Sequence, residues 1–420
     1  MQFLLHGEGV VTILRTIKTS LWLGVVLAAG VAQAAAPFLE KQDLFKAGDD
    51  GYKVQHIPGL VVTAKGTVLA WCEARKKGSD WDAIDILLRR STDDGVTWSA
   101  PKKVADLPGP KPKNPIALRL KFVDTNDVTY NNPVLIAGRD GTVHMLFCLE
   151  YMRCFYQRST DDGVSWSAPV EITSAFEKFR PAYDWKVLAT GPDHCIQLKN
   201  GRLVVPVWLS TGTGGNAHRP SVVSTIFSDD DGKTWQGGEI AVPCTEDWIN
   251  PSETLPLELA DGRVMLNVRN ESKAHRRLVT ISKDGATGWS KPQFDQTLVE
   301  PICMGGLVRL SLAEQGGKDR ILFCNPNNLT VAKGKETPGK NRDRKNLAVR
   351  VSYDEGQTWA VTKSVEPGWG AYSDIGVTPR GTILCFYGTG SKGGFAGDRL
   401  TLARFNLEWL TDGKDTLEKK

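Results

Sequence analysis

An eight-residue box limits what this chain can fold into. Ser91 to Trp98 reads Ser-Thr-Asp-Asp-Gly-Val-Thr-Trp, and it returns as Ser159–Trp166, Ser228–Trp235 and Ser352–Trp359. A degenerate copy, Ser282–Trp289, keeps the Ser, an Asp and the Trp but displaces the Gly. Successive starts lie 68, 69, 54 and 70 residues apart. Such self-similarity marks a chain of repeated supersecondary units, each burying its apolar face on its neighbours. The box reads as a turn. Ser and Asp side chains bond nearby backbone N–H groups, Gly supplies a positive φ, and Trp covers the turn. It is a structural device and not a site.

A second mark runs beneath the first. Gly66, Gly141, Gly201, Gly262 and Gly381 each follow a polar residue and sit between short β-rich runs such as Leu203–Trp208. These read as tight hairpins. A looser sixth lies at Gly316–Asp319, and no long helix-period segment follows residue 34. Five boxes each follow a hairpin, so a unit is four strands. Six units make an all-β, six-bladed β-propeller of four-stranded blades over residues 35–420. The sixth unit lacks a box and one strand. Asp43–Ala47 is the candidate to supply it and close the ring, removing exposed edges. In this topology the boxes lie on the bottom, and residues entering the first strand or leaving the second ring the axis on top.

The N-terminal 34 residues read as a signal peptide. Arg15 and Lys18 precede an apolar run, Leu21–Ala32, and Ala32-Gln33-Ala34 is a cleavage pattern. A secreted or periplasmic location follows, with no membrane span after cleavage. Export makes the eight cysteines matter, but most sit in apolar strand-like runs and read as core residues, with room for one or two disulfides. No C-x-x-C pair or His pair at ligand spacing exists, so neither a metal nor another cofactor is expected. The formal charge of +4, without a basic stripe, gives no case for nucleic acid. A monomer is expected.

One polar set falls where a pocket should be. Asn132, Glu253 and Tyr372 each stand nine residues before a hairpin Gly. Arg75 stands nine and Arg269 seven residues after one, Asp80 follows in the next loop, and His56 precedes Gly66 by ten. A mouth lined with Tyr, Glu, Asp and Arg is poorly explained as core. It reads as an anionic-ligand pocket with acid–base equipment.

The chain resembles the non-viral sialidases (neuraminidases). The likeness rests on Ile57-Pro58-Gly59-Leu60, Cys72-Glu73-Ala74-Arg75, Ile84-Asp85-Ile86, Asn131-Asn132-Pro133, Gly191-Pro192-Asp193-His194, Val268-Arg269-Asn270, Arg344-Lys345-Asn346 and Ala371-Tyr372-Ser373-Asp374, together with the boxes, which resemble that family's Asp boxes. The resemblance implies a retaining exo-glycosidase with a tyrosine nucleophile. It makes Tyr372 the nucleophile, Glu253 its base and Asp80 the acid/base, with Asp82 the rival in the same loop. It makes Arg269 and Arg344 two of three arginines that grip the sugar's carboxylate, and Arg75 and Asn132 contacts to the ring. A neutral phenol suits an anomeric carbon that bears a carboxylate, because an anionic nucleophile would be repelled. His194 is expected to be structural, and Lys333–Lys345 to be a solvated loop bordering the pocket.

One part of the pattern is broken. The family has Arg where this chain has His56, and Glu where it has Gly388. Both halves of one interaction are gone. Histidine's reference pKa near 6.5 implies partial charge and a weaker, pH-dependent grip at that corner. The partner is thus a sialylated or other acidic glycan. Three readings stay open: a sialidase, a glycosidase for another acidic sugar, or a carbohydrate-binding propeller without turnover.

Overall fold

The computed structural model describes Gly7, Gly9 and residues 35–123, 126–315, 317–332, 337, 339–390 and 397–417. Apart from those two glycines, the expected signal peptide lies outside the described residues. So do 333–336 and 338 of the expected loop. No helix among the described residues is long and apolar enough to cross a membrane.

The structure is all-β, in five sheets. The first runs Val54–Val62, Val68–Arg75, Ile84–Ser91 and Lys102–Lys103. The second runs Tyr130–Ala137, Val143–Leu149, Arg153–Ser159 and Val170–Glu171, and the fourth Thr254–Glu258, Val264–Val268, Arg276–Ser282 and Gln293–Val299. In the third, the expected first strand is split. Val187–Thr190 and Ile196–Gln197 pair with Leu203–Ser210, while Asp193–His194 crosses to lie parallel to Tyr130–Ala137 of the second sheet. Pro192 lacks an N–H, and Asp193 sits at φ 78°, so the ladder cannot run straight through this point.

The last sheet has seven strands and joins two hairpin units. Val361–Val377 pairs with Lys345–Ser352 through its first part and with Ile383–Thr389 through its second. It runs on past Pro367, Gly368 and Gly370 with only shifts of register, so one long strand serves both units. Leu39–Lys46 completes this sheet, antiparallel to Arg399–Phe405. The expected N-terminal strand is therefore present at the edge of this sheet, and it begins earlier than its expected start at Asp43.

The boxes form the expected turns. Ser91 Oγ donates to Asp93 Oδ1 at 2.7 Å, Gly95 N donates to Ser91 Oγ at 3.0 Å, and Thr97 N and Oγ1 donate to the same carboxylate at 2.9 and 2.5 Å. Trp98 Nε1 donates to the Gly95 carbonyl at 3.1 Å. The degenerate copy makes the same turn one residue shorter. Gly285, at φ 73°, donates to Ser282 Oγ at 3.1 Å. The boxes also reach backward. Asp94 Oδ2 accepts from Thr382 Oγ1 beside the last sheet (2.5 Å), and Asp162 Oδ2 accepts from Thr67 Oγ1 beside the first (2.8 Å). The Gly285 carbonyl accepts from Thr225 Oγ1 of the third sheet (2.7 Å), and Glu355 Oε2 from Ala260 N beside the fourth (2.7 Å). Each of these boxes clamps its own sheet to the preceding one.

At the middle, Asp374 is fully buried and accepts from Leu60 N (2.8 Å), His194 N (3.1 Å), His194 Nδ1 (2.7 Å) and Ile375 N (2.8 Å). Burial alone would push the His194 pKa down, but the Asp374 carboxylate raises it on balance. Gly306 passes so close that a Cβ there would lie 2.9 Å from the Asp374 Cα, which requires glycine. All eight cysteines are free thiols, seven of them buried, so the residues read as core are core and no bridge forms.

Breaking the buried Asp374–His194 pair leaves an uncompensated charge, at a cost of about 3–5 kcal/mol. Losing one box carboxylate costs about 1–3 kcal/mol. Asp374→Ala should therefore lower the urea midpoint more than Asp93→Ala, and equal shifts would contradict this reading. The Thr97 hydroxyl and amide hold the Asp93 pKa at about 2. A depressed carboxylate stabilises fully above its unfolded pKa near 3.9 and loses that contribution as pH falls. The gap between wild type and Asp93→Ala should persist at pH 5 and narrow from pH 4 toward 2.

Candidate active site

The strands that line the cavity are kinked where they meet it. Pairing shifts between His56 and Gly59, between Asn131 and Val134, and between Gly370 and Ser373. Ile57 and Asn132, each before a proline, take φ of 54° and 49°. Bulges of this kind re-aim side chains at sheet ends. They turn Asn132 and Tyr372 into a cavity of about 220 Å3, which Arg75, Asp80, Glu253 and Arg269 also line.

Tyr372 OH donates to Glu253 Oε1 at 2.5 Å. Arg269 Nη1 donates both to Glu253 Oε2 and to the Tyr372 oxygen. The Arg344 guanidinium lies 5.0 Å from the Tyr372 ring centroid. Burial pushes the phenol's pKa well above its usual value. Glu253 adds to this, while Arg269 and Arg344 oppose it. Tyr372 is therefore a protonated phenol bonded to an acceptor, with cations ready to stabilise a phenolate.

A second chain of charges faces the first. Glu73 is fully buried, and its Oε2 accepts from Arg75 Nε (3.0 Å) and Nη2 (2.6 Å). Its Oε1 accepts from Asn132 N at 2.7 Å. Arg75 Nη1 then donates to Asp80 Oδ1 at 2.7 Å. Burial acts to raise the Asp80 pKa, but Arg75, with His218 and Arg269, holds it below the usual value. The rival Asp82 has another job. Its Oδ2 accepts from Lys77 N and Ser79 N, both at 2.9 Å, and so folds the loop that presents Asp80.

Two expected contacts stand behind the cavity wall, each packed against the Tyr372 ring. His56 is fully buried behind the nucleophile candidate, with ring centroids 4.5 Å apart, and does not line the cavity. Its expected partial charge is corrected too. Burial first, and then Arg75, Arg344 and Arg269, push its pKa well below 6.5, so the ring is neutral. Arg344 is also buried and off the cavity lining, its Nη2 donating to the Ile302 carbonyl at 3.1 Å.

Several cavity residues escaped the sequence reading. Tyr151, Trp208 and His218 form an aromatic wall, with Tyr151–His218 and Trp208–His218 centroids 4.8 and 5.1 Å apart. Arg219 is held by Glu271 on the same rim, at 2.8 Å from Nε to Oε2. A signal existed for one of them, because Trp208 stands seven residues after Gly201, as Arg269 does after Gly262. Glu73 shares a strand face with Arg75, two residues on. The loop 211–220 has no such periodicity, so nothing pointed to His218 or Arg219.

A family model described as a BNR repeat-like domain matches residues 111–385. A sialidase of Micromonospora viridifaciens is 28% identical over 92% of this chain and 56% of its own length. A sialidase of Bacteroides fragilis (strain YCH46) is 30% identical over 81% of this chain and 61% of its own. The chain thus spans less than two thirds of either relative. Among solved structures, a Hadza microbial sialidase, Hz136, superposes with a TM-score of 0.68 at 24% identity, covering 88% of this chain and 69% of that one. A leech intramolecular trans-sialidase gives 0.68 at 17% identity, covering 89% and 71%. Those likenesses establish a shared fold.

A buried histidine with a depressed pKa must stay neutral while the unfolded chain takes up a proton below about pH 6.5, so it removes stability as pH falls. His56→Gln should flatten the loss of unfolding free energy between pH 7 and 5, measured in urea. An unchanged slope would show that the imidazole is not held neutral. His56→Arg should lower the urea midpoint, because it buries a further guanidinium among three.

Proposed function

This chain belongs to the BNR repeat-like family of the sialidase superfamily, and on that premise we propose that it is a retaining exo-α-sialidase. It releases terminal sialic acid from glycoconjugates through a covalent tyrosyl intermediate. The observation that carries this reading is the Tyr372 OH–Glu253 hydrogen bond at 2.5 Å, with Arg269 on both partners. A binding pocket has no need of a phenol so coupled to a base, whereas a nucleophile does.

The sequence repeat, the box clamps and the long shared strand favour six four-stranded blades, with the last two fused in one sheet through Val361–Val377. The N-terminal segment supports export.

The proposed steps follow from the charges. Arg269 and Arg344 attract the substrate's carboxylate. As the phenol attacks the anomeric carbon, Glu253 Oε1 takes its proton, and the two guanidiniums stabilise the transient phenolate. Asp80 protonates the departing glycosidic oxygen, then draws a proton from the water that attacks C2; the tyrosyl C–O bond breaks, and the departing phenolate takes its proton back from Glu253 Oε1. Because Arg75 holds Asp80 below the usual carboxylate range, the acid form is scarce at neutrality. A second carboxylate arriving in the cavity, and acidic pH, both favour it. With His56 neutral and buried, the grip consists of two guanidiniums and does not titrate with the imidazole.

The test is hydrolysis of an aryl α-sialoside and of sialyllactose between pH 4.5 and 7.5. Activity should be higher on the acid side, and Tyr372→Phe should lose at least about 10³-fold. Asp80→Asn should lose about 10²–10⁴-fold on sialyllactose, whose leaving group needs a proton, and much less on the aryl sialoside. No release from either substrate anywhere in the range would end the sialidase reading. Release of a different acidic sugar from a glycoside panel would favour the second.

A further inference from the structure

The residues that present Arg344 stand on a strained turn that the proposed chemistry does not itself use. Ile302 has φ 65°, a left-handed conformation that a β-branched side chain adopts only under constraint. The constraint is Glu300. This carboxylate is fully buried, its Oε1 accepts from Ile302 N (2.7 Å) and Cys303 N (3.0 Å), and its Oε2 accepts from Arg277 Nη1 (2.6 Å). Arg277 is equally buried and is fixed in turn by Asn267, with Nε to Oδ1 at 2.6 Å and Nη2 to the carbonyl at 3.0 Å. Three donors converge on Glu300, the two turn amides on one oxygen and the Arg277 guanidinium on the other.

The turn points its carbonyls at one segment. The Pro301 carbonyl accepts from Arg342 N at 3.2 Å, and the Ile302 carbonyl accepts from Arg344 Nη2 at 3.1 Å. His275 adds a fastening. Its Nδ1 bonds the Glu300 carbonyl at 3.0 Å, and its Nε2 accepts from Gly339 N at 3.1 Å. Asn341, in the same segment, lines the cavity.

We propose that Glu300 is a positioning residue of the site: by holding the left-handed Ile302 turn, it seats the 339–344 segment and sets the reach of Arg344 toward the acidic group of a substrate. The binding part of this rests on the proposed sialidase function, and the seating part does not. Glu300 touches neither substrate nor reacting atoms. Its effect passes through Arg344, so removing Arg344 should make Glu300 irrelevant to binding.

A double-mutant cycle reads that coupling. Glu300→Asp keeps the charge opposite Arg277 and withdraws from the two amides. Calorimetric binding of 2-deoxy-2,3-didehydro-N-acetylneuraminic acid should weaken about tenfold in Glu300→Asp, and less than twofold when the change is made in an Arg344→Ala background. Equal weakening in both backgrounds, or none in the first, overturns the proposal. A ligand-free readout separates this inference from the sialidase reading. The Arg342 amide, bonded to the turn, should exchange hydrogen at least tenfold faster in Glu300→Asp, while strand amides of Val264–Val268 stay protected. Unchanged Arg342 exchange overturns the seating role even if wild type binds no sialic acid analogue. Wild type failing to bind, with Arg342 exchange accelerated, leaves the seating role standing and removes the sialidase reading. If Val264–Val268 loses protection as well, Glu300 is a general fold residue and the proposal fails.

Discussion

One fully buried carboxylate, Asp374, holds the centre. It draws in the amide of Leu60 from the first sheet, the amide and imidazole of His194 from the strand beside the second, and the amide of Ile375 from its own. Desolvating that charge is costly, and its four donors are what make burial tolerable. Sheets that share only apolar faces could slide, whereas a fixed set of N–H vectors aimed at one point cannot be satisfied in another register. Tyr372 lies two residues before Asp374 in the same strand, so the central knot also sets the height of the phenol.

Stability and chemistry are placed at opposite ends of the strands. The boxes clamp neighbouring sheets with short side chains, glycine turns and local hydrogen bonds. At the other end the backbone is strained. Ile57, Asn132 and Ile302 all take left-handed φ within or around the cavity. Strain of about 1–3 kcal/mol at each such residue persists only where surroundings over-determine it. Here Glu73 holds the Asn132 amide and Glu300 the Ile302 amide, each through one oxygen of a buried carboxylate whose other oxygen binds a buried arginine. The same device appears twice, once under Asn132 and once under Arg344.

The broken corner of the pattern gains a physical meaning. His56 is neutral and packed behind Tyr372, close to guanidiniums that already crowd the site. A charged residue of full length there would need a carboxylate to balance it, and the matching position holds Gly388. The grip proposed for the substrate is correspondingly narrower. On that proposal more of the recognition falls to the cavity's aromatic wall of Tyr151, Trp208 and His218, and to the rim where Glu271 holds Arg219.

The sequence by itself determined the repeat, because box and hairpin turns depend on local chemistry: an Asp that bonds an amide four residues on, and a Gly that takes positive φ. It also brought out Asn132, Glu253 and Tyr372, because equal offsets from a turn mean equal heights on the strands of different units. Only the tertiary structure decided which charges face each other. It separated Asp80 from Asp82, put His56 behind the phenol, split the third unit at Pro192 and fused the last two units in one sheet. It also disclosed Glu73, Glu300 and the 211–220 rim. The reason is one of range. Turns are fixed by neighbours in sequence, whereas burial and ion pairing are fixed by residues dozens to hundreds of positions away, such as Glu253 and Tyr372, which no local pattern encodes.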